Sequence, residues 1–298
     1  MADIDYQHLG VYHLPTFEDE FKKAFAKVPR YNAGAIPDML KLVDMIARDP
    51  AITDVRWGAY MLATVFWETT YPVQIEVPAK DKKGKPLMKD GKPVMLKQKK
   101  WMMTMAPVDE VGHGKGRAYH EPVKIAELAD GSVRVTEQDG DQFSVSAGGT
   151  IKPLTKKTAM GTTDGGNAVK AYVDDTGTEN AYYGRGYVQL TWWSNYAKAG
   201  VALKRGLDLL KNPELVKDPA IAYALMSHGM TTGEGFANGR KFSTYFTGQN
   251  RDYVGARKMV NGSDHAADIA EIAEKFEAIL LASRIMRERA APLPFISY

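Results

Sequence analysis

The sequence predicts a mainly helical α+β fold with β insertions, and three patterns support this prediction. Apolar residues recur at helical spacing before residue 70 and again after residue 196. Residues 77–101 combine many lysines with a turn signal, which is typical of a β-hairpin. Residues 121–178 contain short alternating runs separated by Asp-Gly and Gly-Gly pairs. We therefore predict one domain over residues 1–298, with a lysine-rich hairpin inserted at 77–101 and a β-rich subdomain at 121–178.

The composition excludes several classes of function. The chain has 298 residues, of which 44% are hydrophobic and 25% charged, and its formal net charge of +3 does not indicate nucleic-acid binding. Cysteine is absent, which excludes disulfides, thiolate zinc sites and cysteine nucleophiles. The six histidines have no metal-ligand spacing, so we expect neither a metal nor a cofactor.

The sequence also bears on location. No apolar run approaches the roughly 18 residues that a membrane span needs. The residues after Met1 are acidic and lack the apolar segment of a signal peptide. We therefore expect synthesis in the cytoplasm without a signal peptide, and no membrane span.

The first clear helices lead to a carboxylate. One helix is predicted from Pro37 to Arg48, and the next begins near Thr53 or Asp54, either of which can cap it. The second helix has a mostly apolar face that ends at Glu68 and contains Trp57, Met61, Thr64 and Val65. Burial disfavours the charged form of a carboxyl, which suits a general acid. The alternative is a helix-end glutamate that turns out to water.

The lysine-rich segment is predicted to be a hairpin, because Gly84-Lys85-Pro86 is repeated as Gly91-Lys92-Pro93 and Asp90-Gly91 is a turn signal. Lysines outnumber acidic residues nine to two in residues 77–101. One hypothesis is an electrostatic contact with an anionic envelope polymer, and the other is a solvated excursion of the chain.

A glycine-rich loop follows at Met105–Tyr119 and carries a second carboxylate, Glu110. Its glycines are too loosely spaced for a phosphate-binding loop. A polar loop carboxylate and a helix-face carboxylate have different environments, which is what acid–base cleavage of a glycosidic bond requires.

The stretch Tyr182–Tyr196 is rich in aromatic residues around a Gly-Arg-Gly turn. It also carries the neutral hydrogen-bonding side chains Gln189, Thr191 and Asn195. Aromatic faces beside amides and hydroxyls suit a sugar polymer, whereas the alternative is an ordinary core segment.

The remaining chain is predicted to be helical. Asp218-Pro219 opens one helix, residues 251–260 form another, and Ser263 or Asp264 begins a long terminal helix. The terminal helix has a core-facing apolar stripe formed by Ile269, Ile272, Phe276, Ile279 and Leu280.

The stretch Tyr182–Tyr196 resembles the signature of family 19 glycoside hydrolases, and most resembles their bacterial and phage branch, which includes endolysins. Further segments of the chain resemble that family in the same order, so that the resemblance covers roughly residues 36–76, 102–120 and 180–282. These segments are Phe66–Thr70, Met105–Tyr119, Asn212–Leu215 with Asp218-Pro219, and Tyr253–Gly262. The resemblance implies a lysozyme-like fold.

The resemblance also implies roles for individual residues. Glu68 would be the general acid and Glu110 the base that activates water, with Glu76 as an alternative base. Such enzymes invert the anomeric centre and leave room for a water between carboxyls roughly 6.5–9.5 Å apart. Catalytic Thr191 would help to hold the sugar and the water. The substrate-binding residues would be Tyr183, Arg185, Gln189, Trp192, Asn195, Tyr196 and Asn261.

The leading hypothesis from the sequence is a peptidoglycan-degrading, muramidase-like endolysin that acts as a monomer on the cell wall after release or delivery. The alternatives are a chitinase, or a catalytically inactive sugar-binding or virion structural protein on the same fold. The chain departs from the family pattern at Trp67, where histidine is usual, at Thr70-Tyr71-Pro72, and at Asp264-His265. We expect an amino-sugar polymer as the partner in either active case.

Overall fold

The computed structural model describes residues 4–7, 10–155 and 177–285. Over these ranges the chain forms a mixed α+β fold that is mainly helical and has small antiparallel sheets, as the sequence predicts. The lysozyme-like topology stays a prediction. The helices are α1 Leu14–Phe25, α2 Ile36–Arg48, α3 Val55–Glu68, α4 Trp193–Ala202, α5 Asp208–Lys211, α6 Pro219–Thr232, α7 Phe242–Tyr245, α8 Tyr253–Ala256 and α9 Ala266–Ser283. The strands are β1 Thr70–Pro78, β2 Met88–Lys89, β3 Lys92–Pro93, β4 Met95–Met103, β5 Val108–Asp109, β6 Val123–Glu127, β7 Val133–Thr136, β8 Gln142–Val145, β9 Ile151–Thr155, β10 Thr178–Asn180 and β11 Arg185–Gly186.

A cluster of phenylalanine rings joins the first helices to the last one. The ring centroid of Phe276 on α9 lies 4.8 Å from that of Phe25 and 5.8 Å from that of Phe21, both on α1. It lies 6.3 Å from the ring of Phe66 on α3. All four side chains are fully buried. Since α3 ends at Glu68, this cluster supports the element that positions the candidate acid.

Helix α3 begins as the sequence predicts. The side chain of Asp54 accepts a hydrogen bond of 2.8 Å from the backbone N–H of Arg56, so Asp54 rather than Thr53 is the cap. The helix is buried along most of its length and reaches the surface at its last turn. Glu68 therefore stands where the core meets solvent.

Gly58 allows α3 to approach both neighbouring helices. A Cβ atom at this position would lie 3.0 Å from Cγ2 of Ile46 on α2 and 3.6 Å from Cδ1 of Leu280 on α9. A larger residue would push the helices apart, because protein interiors are closely packed.

A long two-stranded arm, residues 70–103, follows α3 directly. Its strands β1 and β4 are antiparallel, with Thr70 opposite Met103 at the base. Asp90 and Gly91 at the tip have φ of 50° and 76°, as a tight hairpin turn requires. The hairpin predicted at 77–101 is present, but its strands extend to 70 and 103.

The segment predicted to be β-rich forms a five-stranded antiparallel sheet in the order β10-β6-β7-β8-β9. Its tight turns use Gly131, Gly140 and Gly149, whose φ values are 79°, 95° and 79°. Residues 156–176 of the segment lie outside the described residues.

A short strand pair connects the two halves of the candidate site. Strand β5 pairs with β11, with Arg185 opposite Asp109 and Gly186 opposite Val108. At Gly186 φ is 80°, and a Cβ would lie 2.8 Å from the carbonyl oxygen of Val216, so only glycine fits. The pair brings the loop after β5 against the Tyr182–Tyr196 stretch.

The C-terminal helices follow the predicted order with shifted ends. Asp218 accepts hydrogen bonds from the backbone N–H groups of Ala220 and Ile221 at the start of α6, as predicted. The helix predicted over 251–260 is the short α8 followed by a 3₁₀ turn, and the terminal helix starts at Ala266, slightly later than predicted. In the described part of the chain, no helix combines the length and hydropathy that crossing a membrane requires.

Truncation of Phe276, whose ring contacts both α1 and α3, tests the role of the phenylalanine cluster. We expect Phe276→Ala to lower the free energy of unfolding by about 3–5 kcal/mol, because it leaves a cavity between α1, α3 and α9. Urea unfolding followed by circular dichroism measures the change. The control is Glu271→Ala at an exposed position of the same helix, which should change stability by about 0.5 kcal/mol or less. A similarly small loss for both variants would contradict the central role of the cluster.

Candidate active site

A cleft of about 700 Å³ lies between the end of α3, the loop after β5 and the segment that leads into α4. Its lining combines three kinds of side chain. The carboxylates are Glu68, Asp109 and Glu110; the aromatic rings are Trp67, Trp101, Tyr119 and Trp192; and the neutral polar groups include Thr70, Gln189, Thr191 and Asn261. Six of the sequence-predicted residues meet here, namely Glu68, Glu110, Gln189, Thr191, Trp192 and Asn261.

Glu68 is held by a buried guanidinium. Its Oε1 lies 2.5 Å from Nη1 of Arg257, whose side chain is almost entirely buried. The Nε–H of Arg257 donates to the carbonyl oxygen of Asp264 at 3.0 Å. The carboxyl at the end of α3 thus has a charged partner, whereas the sequence led us to expect apolar surroundings alone. The pair fixes the position of the Glu68 carboxyl at the cleft.

Glu110 is held by neutral donors. The hydroxyl of Tyr119 donates to Oε1 at 2.9 Å, and the backbone N–H of Gly184 donates to Oε2 at 3.1 Å. Burial, together with the hydrogen bond to Glu110, raises the pKa of Tyr119 to about 12. The hydroxyl therefore remains a donor at neutral and mildly alkaline pH. These bonds orient the carboxylate without neutralising it.

Asp109, the neighbour of Glu110, belongs to an ion-pair network behind the loop. Its Oδ2 accepts a hydrogen bond of 2.7 Å from Nζ of Lys217, and its Oδ1 lies 3.4 Å from Nε of Arg185. Lys217 and Arg185 both also contact Glu214. The network anchors β5 and so fixes the start of the Glu110 loop.

Glu76 is not brought to the cleft. It lies on β1 opposite Lys97, on an exposed part of the arm. Six residues separate it from Thr70 at the cleft, which corresponds to about 20 Å along a strand. Glu110, by contrast, lines the same cleft as Glu68.

Polar residues of the Tyr182–Tyr196 stretch are held by local hydrogen bonds. The amide of Gln189 donates to the carbonyl oxygens of Val108 and Gly186, and so links β5 to the stretch itself. The amide of Asn195 donates to the carbonyl oxygen of Thr191 at 2.9 Å, which leaves Asn195 outside the cleft lining. Asn195 therefore supports the position of Thr191.

Trp192 stands at the cleft rim in an uncommon backbone conformation. Its φ is 71°, and Gln189 nearby has φ of 51°. The left-handed region is unfavourable for side chains other than glycine, and such residues concentrate at functional sites. The indole is 45% exposed and meets the ring of Tyr119 edge to face at 5.7 Å. An exposed ring held in this way can stack on a sugar.

Three other predicted sugar contacts lie behind the cleft surface. The guanidinium of Arg185 lies 3.7 Å from the ring centroid of Tyr183, whose ring also stacks on His113 at 4.5 Å. Tyr196 is fully buried, and its hydroxyl donates to the carbonyl oxygen of Tyr183 at 2.8 Å. Arg185 is 3% exposed. Since these groups are largely covered, their geometry fits support of the cleft wall.

Trp67 lines the cleft together with Arg30. The guanidinium of Arg30 lies 3.7 Å from the indole centroid, and the ring of His265 lies 4.8 Å away. The indole is thus held between two side chains next to Glu68.

Sequence reasoning assigned no role to Arg257, Tyr119 or Arg30. Arg257 and Tyr119 belong to segments that carry the resemblance. Tyr119 contacts Glu110 in its own loop, whereas the partner of Arg257 is distant in sequence. Arg257 and Glu68 are 189 positions apart. No periodicity or local motif indicates such a pair.

A carboxylate group lies on the β-rich sheet. Carboxylate oxygens of Glu137, Asp139 and Asp141 lie within 4.8 Å of one another. Burial, with the nearby charges of Asp139 and Asp141, raises the pKa of Glu137, which accepts a hydrogen bond from the indole of Trp193 at 2.7 Å. Exposed acidic groups of this kind are common, and nothing else here indicates a ligand.

Part of the chain resembles known chitinases. Residues 150–241 match the model of glycoside hydrolase family 19, described as chitinase class I. The acidic endochitinase pcht28 of Solanum chilense is 43% identical over 70 residues, which are 23% of this chain and 26% of the relative. The acidic 26 kDa endochitinase of Solanum lycopersicum is 40% identical over 66 residues, 22% of this chain and 25% of the relative. The inactive chitinase-like protein 1 of Hevea brasiliensis is 63% identical over 35 residues, 12% of this chain and 10% of the relative.

These matches cover only part of this chain and part of each relative. The chain spans between about an eighth and a quarter of the length of the first curated relatives that it matches, and no solved structure matches it at a comparable level. The matched family segment includes Gln189 and Thr191, whereas Glu68, Glu110 and Asn261 lie outside it. The matches to plant chitinases do not support the bacterial and phage branch over the rest of the family.

The buried ion pair at the cleft makes a prediction about stability. We expect Arg257→Met to lower the free energy of unfolding by about 3–5 kcal/mol, because it leaves the Glu68 carboxylate without its partner. In a Glu68→Gln background the same change should cost less, because no charge is then left unpaired. A double-mutant cycle measured by urea unfolding gives the coupling between the two residues.

The matched control for this cycle is the exposed pair of Arg48 and Asp44 on α2. Arg48→Met and Asp44→Asn should show a coupling of about 0–1 kcal/mol. Equal couplings at the buried and the exposed pair would contradict the role given to Arg257.

Proposed function

We propose that the cleft hydrolyses a β-1,4 glycosidic bond in a polymer of N-acetylated amino sugars by inverting acid–base catalysis. The observation that carries this proposal is the presence of Glu68 and Glu110 in one cleft, on different elements and in different surroundings. Aromatic rings and neutral hydrogen-bonding groups line the same cleft. The segment match to family 19 supports the same class of reaction.

In this mechanism Glu68 protonates the leaving oxygen. Arg257 keeps the carboxyl in place, and then stabilises the charge that Glu68 acquires when it gives up its proton. The acid must be reprotonated before the next turnover.

Glu110 accepts a proton from a water molecule that attacks the anomeric carbon. Its two hydrogen-bond donors aim the carboxylate while leaving its charge in place. Thr191 and Gln189 lie in the same cleft and offer a hydroxyl and a side-chain carbonyl oxygen to the water or to the sugar, since the Gln189 N–H groups donate to Val108 and Gly186. Inversion requires space for this water between the two carboxyls.

For the substrate we favour a chitin-type chain of N-acetylglucosamine, because the curated relatives are named endochitinases. Peptidoglycan is the second candidate, since it has the same linkage with added carboxylates and the chain carries a lysine-rich arm. One relative is named an inactive chitinase-like protein. The experiment therefore has to exclude a role in which the cleft binds sugar without cleaving it.

Carboxylate substitutions test this assignment. We expect Glu68→Gln and Glu110→Gln each to lower kcat by about 10²- to 10⁴-fold on chitin oligosaccharides, because each removes one proton transfer. Glu76→Gln is the matched control and should retain full activity, since that side chain lies outside the cleft. Mass spectrometry of reduced products from chitin and from peptidoglycan identifies the bond, and NMR of the first product identifies its anomer.

Each alternative has its own outcome in this experiment. A well-folded wild type that cleaves neither polymer would leave a binding role for the cleft. Loss of activity in Glu76→Gln, with activity retained in Glu110→Gln, would move the base to Glu76. A product with the same anomeric configuration as the substrate would exclude the inverting mechanism. Thermal melting of each variant separates a loss of chemistry from a loss of fold.

The Tyr119 hydroxyl makes a prediction about catalysis. Tyr119→Phe removes a donor that orients the Glu110 carboxylate, so the carboxylate is aimed less well at the attacking water. We expect kcat to fall about tenfold with little change in KM. Tyr223→Phe is the control and should keep full activity, because its hydroxyl also donates to a carboxylate, Asp49, but away from the cleft. An unchanged kcat in Tyr119→Phe would contradict the orienting role of this hydroxyl.

A further inference from the structure

We propose that one face of the arm, residues 70–103, binds an anionic, carboxylate-bearing amino-sugar polymer and leads it into the cleft. The proposal rests on the proposed function and selects the second of its two candidate substrate classes, because the names of the relatives favour chitin whereas the charges of the arm favour a polymer with carboxylates. It assigns Trp101 as a stacking platform and Lys99 and Lys97 as partners for carboxylates.

The strand register determines which residues share this face. Residues directly opposite one another in an antiparallel pair point to the same side, and the side alternates along each strand. Thr70 and Trp101 both line the cleft, and Trp101 is opposite Pro72. The cleft side of the arm therefore continues from Trp101 to the next pairs on that side, Gln74 with Lys99 and Glu76 with Lys97.

Trp101 is the point at which the arm meets the cleft. Its side chain is 47% exposed although it lines the cleft. An exposed indole at the mouth of a carbohydrate cleft offers an apolar face to a sugar ring. Stacking of this kind is independent of the charge of the polymer.

The lysines beyond Trp101 are available to a ligand. Lys97 and Lys99 are exposed, and within the described part of the chain neither forms an ion pair. Lys99 is the next residue after Trp101 on the same face of β4, about 7 Å along the strand. Arg117, also exposed, adds a cation inside the cleft. A neutral polymer has no group that uses these charges, whereas a polymer with carboxylates does.

The opposite face of the arm has a different character. It carries the apolar residues Tyr71, Val73 and Leu96, together with Lys100, and Tyr71 and Val73 are outside the cleft lining. Lys99 and Lys100 are therefore neighbours in sequence with the same charge on opposite faces. This provides a matched pair of substitutions.

The test compares two polymers with the same backbone. Carboxymethyl chitin carries carboxylates, and glycol chitin is neutral. Binding is measured with Glu68→Gln protein, or Glu110→Gln if the first is unstable, so that the polymers stay intact. We expect tighter binding to carboxymethyl chitin at low salt and loss of that preference at about 0.5 M salt, because exposed charges are screened.

Single substitutions then locate the contact. Lys99→Glu should weaken binding of carboxymethyl chitin roughly tenfold and leave binding of glycol chitin unchanged, because an attraction becomes a repulsion. Lys100→Glu, with the same change of net charge on the other face, should have less than a twofold effect. Trp101→Ala should weaken binding of both polymers roughly tenfold and keep the ratio between them.

Two outcomes would overturn the proposal. The first is no preference for the anionic polymer at low salt. The second is an equal loss for Lys99→Glu and Lys100→Glu, which would mean that total charge rather than this face determines binding. Hydrolysis of a short chitin oligosaccharide by the wild type is measured separately. If that reaction is absent while the face-specific binding persists, the proposed function fails and the binding surface stands.

Discussion

The buried guanidinium of Arg257 joins the two parts of the chain that form one side of the cleft. Its partner Glu68 ends a helix that is covered by α2 and α9, and its own segment leads directly to Asn261 in the cleft lining. Removing a guanidinium from water is costly, so the surrounding structure has to supply its partners in fixed positions. The 2.5 Å contact to Glu68 and the bond to the Asp264 carbonyl do so. The candidate acid is thus positioned by its ion pair with Arg257 as well as by the packing of its helix.

The second carboxylate depends on a different kind of support. Glu110 follows β5, a strand of two residues that pairs with β11 in the Tyr182–Tyr196 stretch. A strand pair this short adds little stability by itself. The ion pairs among Asp109, Lys217 and Glu214 behind it also hold the strand in place. One candidate catalytic group therefore stands on a rigid helix and the other on a tethered loop. Two such settings allow the carboxyls to differ in protonation, which acid–base catalysis requires.

Local patterns predicted much of this arrangement. Helical periodicity, the Asp54 cap and the Asp90-Gly91 turn depend on neighbouring residues, and each appears where the sequence indicates it. The arm begins earlier than predicted, although the alternation of Val73, Ile75 and Val77 is a strand signal that could have located β1. Contacts over long separations could not be predicted in this way, because they arise from the packing of α3 against α9 and from the β5–β11 pair. That is why Arg257 was missed, and why burial of Arg185 and Tyr196 was not foreseen from an aromatic-rich stretch.

The arm places the lysines proposed to bind the polymer at a distance from the candidate catalytic carboxylates. Nine residues of β1 span roughly 30 Å, whereas charges are screened over about 10 Å at moderate salt. Lys99 pairs with Gln74, four residues or about 13 Å beyond Thr70, so it can attract a carboxylate without altering the charge balance around Glu68. Arg257 and Arg117 already place two cations at the cleft. Lysines on the arm therefore extend the attraction of an anionic polymer outwards without adding further charge beside the candidate acid.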